Sequence, residues 1–204
     1  MRPPPWVPAG PWVAGGCFAC GPRGPVGPGR SGEPCWAAAV LWTRPQGSSA
    51  VVCGRVRAAY QPGLLALREG PLLEAAVRAL PRLPDVLLVN ATGRDHPRGA
   101  GLALHLGAVL NVPTVGVTDR PLVASGQPPE DRRGATSPLQ PGGEPVGYWV
   151  RTRPGGRPVC VHAAWRTEPD VAVQVVLALC TRHRTPEPLR LARAVARAAR
   201  ARCP

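Results

Sequence analysis

The chain reads as an α/β protein with a mixed sheet, an antiparallel meander followed by parallel strands, flanked by helices. Two observations predict this. Up to about residue 58 the apolar residues fall in short runs separated by Pro/Gly-rich stretches, as in consecutive strands. From Gly63 the apolar spacing becomes helical, and later continuous apolar runs bracket an amphipathic stretch, as in a β-α-β unit. The 204 residues suit one domain with an adequate core. A single domain over 1–204 is expected, with loops at 21–34 and 119–145.

In order along the chain, "WVAGGCFA" and "CWAAAVLW" are read as strands joined by the Pro/Gly-dense loop "GPRGPVGPGRSGEP" (21–34). "SAVVCGRVRA" follows the turn "RPQGS" as a third, completing the meander. In "GLLALREGPLLEAAVRAL", Leu72, Leu73, Ala76 and Leu80 recur at helical spacing, with Pro71 expected in the first turn of the main helix. "DVLLVN" is a fully buried type of strand, and "PRGAGLALHLGAVL" a helix with Leu102, Leu106, Val109 and Leu110 on one face. "PTVGV" is a second buried strand, so the pair should run parallel with a right-handed crossover. Residues 119–145 read as a long polar loop. "PVGYWVRT" and "RPVCVHAA" form a hairpin across "RPGG", and two helices end the chain, "EPDVAVQVVLALCTRH" and "EPLRLARAVARAARAR".

The net charge of +13 comes from 25 basic residues against 12 acids, and every base is arginine. Lysine and isoleucine are both absent, as a GC-biased coding sequence would give, so the choice of arginine carries no functional meaning. The imbalance itself points to a polyanionic partner, since arginine forks match phosphates. An inert basic surface is the other reading. No apolar run is long enough to span a bilayer. "MRPPPWVPAGPWVAGG" is too proline-rich and weakly charged for a secretory signal. A soluble cytoplasmic protein is expected. Seven cysteines, an odd number, argue against a disulfide framework. Cys17 and Cys20 form a CxxC, but no second one follows at zinc-ribbon spacing.

Three stretches carry a resemblance: "AAYQPGLLALREGP" (58–71), "NATGRDHPRGAGLALHLGAVLNVPTVGV" (90–117) and "TRHRTPEPLRLA" (181–192). Their order and separation resemble the endonuclease V family, metal-dependent nucleases that recognise deoxyinosine and cut the strand nearby. The resemblance covers most of residues 12 to 195 and implies an RNase H-like core. No helix is read ahead of the first strand, where the family usually has one.

The resemblance implies roles position by position. "YQPG" supplies Tyr60, Pro62 and Gly63 of a wedge that separates strands beside the damaged base. An aromatic there can replace stacking worth ~1–3 kcal/mol per base. Without the resemblance, the same four residues are a turn into a helix. The family's pocket for a flipped base maps onto Gly63, Leu65, Ala91, Gly93, Leu102 and Leu122. Glu69 matches the family's metal-binding glutamate, and His96, in "HPR", a histidine placed to contact the scissile phosphate. Arg98, Arg120, Arg132 and Arg133 are expected to flank the groove. Arg190, Arg193, Arg197 and Arg200 form a stripe on the last helix, either a solvated face or a track for phosphates.

Departures from the family pattern decide the chemistry. Cys17 and Asn90 stand where the family has metal-binding aspartates, Asp119 where it has a lysine, and Trp165 where it has a histidine. Of three carboxylates that would hold magnesium, Glu69 remains. Magnesium is a hard ion bound through carboxylate and phosphate oxygens, and a thiol suits it badly. The catalytic set expected from the resemblance is Glu69, Asn90 and His96, with Glu69 the metal ligand. Mg2+ or Mn2+ is the cofactor if the chain cuts, and none is needed otherwise. Three readings follow. The first is a binder of inosine-containing or distorted DNA, or RNA, with weak or no cleavage. The second is an active nuclease with a rearranged site using Asp95 or Asp119. The third is a protein-interaction module on the same fold. Asp95 is otherwise read as the cap of the helix near Pro97. A monomer is expected.

Overall fold

The computed structural model describes residues 3–24, 29–43 and 47–202. Parts of the loop read at 21–34 and of the turn "RPQGS", together with Cys203, lie outside the described residues.

The meander forms as read: β1 (Ala14–Cys20), β2 (Pro34–Trp42) and β3 (Ser48–Arg55) pair antiparallel. Helix α1 (Leu65–Arg78) leads to β4 (Val86–Val89), which lies parallel to β1. Helix α2 (Leu102–Leu110) crosses over to β5 (Thr114–Thr118), parallel to β4. The chain continues through β6 (Thr136–Leu139), β7 (Gly147–Val150) and β8 (Val159–Ala163), then α3 (Pro169–Leu179) and α4 (Glu187–Arg202). One eight-stranded sheet results, in the order β3-β2-β1-β4-β5-β8-β7-β6. This mixed sheet with helices on both faces is the RNase H-like architecture expected.

Strand alternation divides the core in two. Leu87 and Val89 of β4 pack with Cys17, with Leu73 and Val77 of α1, and with Leu102 and Leu106 of α2. Val86 and Leu88 face the other way, against Val175 and Val176 of α3 and Leu189 of α4. A strand buried on both faces needs an unbroken apolar run, which "VLLV" supplies. Each such aliphatic side chain contributes roughly 1.5–3 kcal/mol by leaving water. The small residues of β1 have a packing reason. A Cβ on Gly16 would lie 2.4 Å from the Pro188 carbonyl carbon, so α4 seats its first turn directly on the strand.

Several expectations are corrected. Residues 97–101 are not helical: Gly99 adopts φ +62° and Gly101 is the N-cap, so α2 starts at Leu102. Pro71 lies inside α1, not in its first turn. The carbonyl it deprives of a donor belongs to Leu67, on the solvent-exposed face where water can serve instead. The stretch 119–145 contains β6, an edge strand whose Pro138 is tolerated because that edge carries only an isolated bridge, Ser125 to Gln140, and no full strand among the described residues. The helix read over 168–183 stops at Leu179. Cys17 and Cys20 sit three apart on one strand and therefore point to opposite faces, so this CxxC cannot chelate one ion.

Candidate functional site

The loop ahead of α1 is fastened before it presents anything. Arg68, buried on α1, donates to the carbonyls of Ala58 (2.8 Å) and Arg30 (2.9 Å) and to the Glu33 carboxylate (2.7 Å). The Arg30 backbone amide and the Arg68 guanidinium hold the Glu33 carboxyl below its usual range. The Tyr60 amide donates to Gly29 O at 2.6 Å. Tyr60 itself is left 48 % exposed on this rigid base. Gly63 makes the turn into the helix at φ +75°, a region that disfavours side chains.

His96 and Arg98 grip that turn. His96 Nε2–H donates to the Gly63 carbonyl (3.0 Å), while its Nδ1 accepts the Arg98 amide (3.2 Å), which fixes the Nε2-protonated tautomer. Arg98 Nη2 donates to the same carbonyl at 2.6 Å. Across from this turn, the loop carrying Leu122 is held by buried Asp95. Its carboxylate accepts the amides of Leu122 (2.7 Å), Val123 (2.8 Å) and Ala124 (2.8 Å). Asp95 therefore anchors a loop and is not the cap of α2. Between the two sides lies a cavity of about 200 Å³, bounded by Tyr60, Pro62, Gly63, His96, Asn90 and Leu122 among others. Leu65, Ala91 and Leu102 also line it.

Beside it, a small cleft of about 20 Å³ brings together Cys17, Glu69 and Asn90. Burial raises the Cys17 thiol far above its usual range, and nearby Glu69 adds to the shift, so sulfur stays protonated. Burial likewise pushes the Glu69 carboxyl up to about 7 against the opposing influence of Arg68. The Asn90 side-chain oxygen already accepts Arg193 Nη2 at 3.2 Å, from α4. Among the described residues no group of three His, Cys, Asp or Glu side chains could hold an ion. The cleft has room for about one water, whereas magnesium usually keeps several. A neutral thiol, an amide facing a guanidinium and one half-protonated acid do not fit a divalent ion.

Neither candidate acid compensates. Asp95 is committed to three amides, and Asp119 pairs with Arg184 at 2.7 Å. Gly93 is also corrected. It does not line the cavity but packs under β8, where a Cβ would lie 2.2 Å from Ala163 O. Arg98 donates Nη2 to the Gly63 turn while its side chain stays exposed. Arg133 donates to Thr152 O and Leu177 O, and Arg132 approaches Glu130 at 3.9 Å, so both belong to another part of the surface. In the stripe, Arg190 pairs with Glu187 and Arg200 donates to Gly21 O, which leaves Arg193 and Arg197 nearest the cleft. Trp165 sits against Gly107 of α2 with its amide on Thr114 Oγ1.

Two residues had a signal that went unread. Arg68 occupies a core-face position between Leu65 and Leu72, where a charge needs a buried partner. His162 interrupts the apolar run of β8. It is fully buried, donates Nε2–H to Thr118 Oγ1 (2.8 Å), and has Nδ1 3.6 Å from Asp95, too far for a hydrogen bond. Burial pulls its basicity down to about 4, with Asp95 opposing.

The family model for Endonuclease V matches residues 28–194. The Endonuclease V of Roseiflexus sp. (strain RS-1) is 40% identical over 174 residues, covering 84% of this chain and 78% of that protein. The Endonuclease V of Thermus thermophilus is 41% identical over 171 residues, covering 80% and 75%. The crystal structure of Endonuclease V from Streptomyces avermitilis superimposes with a TM-score of 0.88 at 34% identity, covering 99% of this chain and 87% of that one. The turn, the cavity and the cleft thus sit on a shared framework, and the chain belongs to the endonuclease V family.

Proposed function

We propose that this protein binds nucleic acid containing deoxyinosine or a comparable distortion, and that it cleaves the strand poorly or not at all. One observation carries the reading: an exposed tyrosine on a fastened turn borders a cavity whose neighbouring cleft lacks the ligands for an ion. A base displaced from the stack would enter the cavity while Tyr60 takes its place against the neighbours. At about 200 Å³ the space is small beside the ~300–1,000 Å³ of drug-sized sites, as a single base requires. The residues that shape it hold their positions through backbone hydrogen bonds, and none of those bonds depends on a metal.

Metal-dependent cleavage would need an ion to activate the attacking water and stabilise the leaving oxygen. Glu69 with Cys17 and Asn90 supplies neither the charge nor the oxygens for it. What these residues do instead is leave little negative charge beside the pocket. In a mobility-shift titration, DNA with one deoxyinosine should bind at least several-fold more tightly than the matched control, and Tyr60→Ala should remove most of that preference. Equal affinity for both DNAs, unchanged by Tyr60→Ala, rejects the binding reading. Incubation with manganese should leave the inosine strand intact; cutting that disappears in Glu69→Ala would restore the nuclease.

A further inference from the structure

Beside the cleft lined by Cys17, Glu69 and Asn90, the chain supplies a cation of its own. Arg193 extends from α4 with its guanidinium 5.1 Å above the Phe18 ring and Nη2 on Asn90. Among the described residues, no other N–H of this guanidinium has a partner, and Nε is buried without one. Arg197 and Arg184 lie near enough to oppose its charge together with burial, while Asp119 favours it. The cation is thus positioned by an aromatic face and an amide, with no carboxylate in hydrogen-bond contact. Guanidinium presents a planar fork of donors matched to two oxygens of one phosphate. Here Nη2 is spent on Asn90 and Nε is buried, which leaves the Nη1 end of the fork for a phosphate oxygen.

We propose that Arg193 takes the place of the metal, gripping a phosphodiester of the bound strand between α4 and the end of β4 beside Asn90, so that binding needs no divalent ion. The inference rests on the nucleic-acid reading above, yet it can fail separately. Asn90 fits this arrangement better than an aspartate would, because a carboxylate would close the guanidinium into an ion pair and repel the phosphate.

Fluorescence anisotropy with labelled DNA, with and without one deoxyinosine, tests it in EDTA and in magnesium. Wild-type affinity should be the same in both buffers. Arg193→Gln should weaken binding about tenfold on both DNAs and make the salt slope shallower by about one. Its preference for deoxyinosine should survive, because the pocket is untouched. Arg193→Lys should recover part of the affinity and keep the slope, which a purely structural arginine would not do. Asn90→Asp, which leaves Arg193 in place, should also weaken binding and guards against a Gln variant that misfolds. Loss of wild-type binding in EDTA, or a well-folded Arg193→Gln matching wild type, overturns the proposal. Binding that depends on Arg193 but ignores deoxyinosine overturns the base-recognition reading alone. No binding to either DNA overturns both.

Discussion

Glu69 is a carboxyl whose surroundings favour its neutral form. Folded, it titrates near 7, against 4.5 for an exposed glutamate. Between those values the folded state binds more protons than the unfolded one, so the stability tied to this group is complete below 4.5 and is lost as pH rises through 7. Glu69→Gln removes the titration. Relative to wild type, its stability should rise across pH 4.5–7 by up to about 3 kcal/mol and then level off, as urea unfolding at several pH values would show. His162 acts in the opposite direction, since its folded value near 4 costs stability as pH falls from 6.5. Asp95→Asn should destabilise by about 3 kcal/mol, because three amides lose a charged acceptor. At this scale legibility was uneven. Tyr60, Glu69 and Asn90 were readable because motif and strand end fix them. Asp95 was misread because a helix cap and a loop anchor call for the same short acid. Arg193 was visible as part of a stripe, but a stripe does not reveal which strand end lies beneath it.

Elements were easier to read where the backbone followed the apolar period and harder where tertiary contacts overrode it. The meander, β4, β5 and α4 follow their patterns closely. Helix α2 was read five residues too long because His96 and Arg98, within helical spacing, are drawn off to the Gly63 carbonyl. β6 escaped because an edge strand with a proline and exposed residues has no apolar signature. The contact between β1 and α4 allows a direct test. Gly16→Ala places a methyl 2.4 Å from backbone at Pro188, and backbone cannot rotate aside. The variant should lose about 1–3 kcal/mol, and amides of α4 should exchange faster than those of α3, as hydrogen-exchange measurements would report.

For the molecule as a whole, the net charge of +13 is uneven in its effect. Many arginines are spent on the protein itself: Arg68 on the loop ahead of α1, Arg94 on Glu168, Arg133 on α3, Arg151 on Pro129 O. Those near Asn90 and not spent in this way, Arg193 and Arg197, are few. Affinity for DNA should therefore fall with salt at a log–log slope of about −2 to −3, set by contacts and not by total charge. Much steeper dependence would mean that the remaining surface arginines also bind phosphate.

Helix α4 follows every other described element in chain order, covers the β1–β2 face and brings the guanidinium to Asn90. A chain emerging from the ribosome thus completes the Tyr60 turn and the cavity first, and receives the cover over β1 and β2 and the guanidinium at Asn90 only with these sixteen residues of helix. Until then, Phe18, Trp36 and Val40 have only solvent or a chaperone to face, so early termination after Thr185 would yield an aggregating fragment and not a weaker binder.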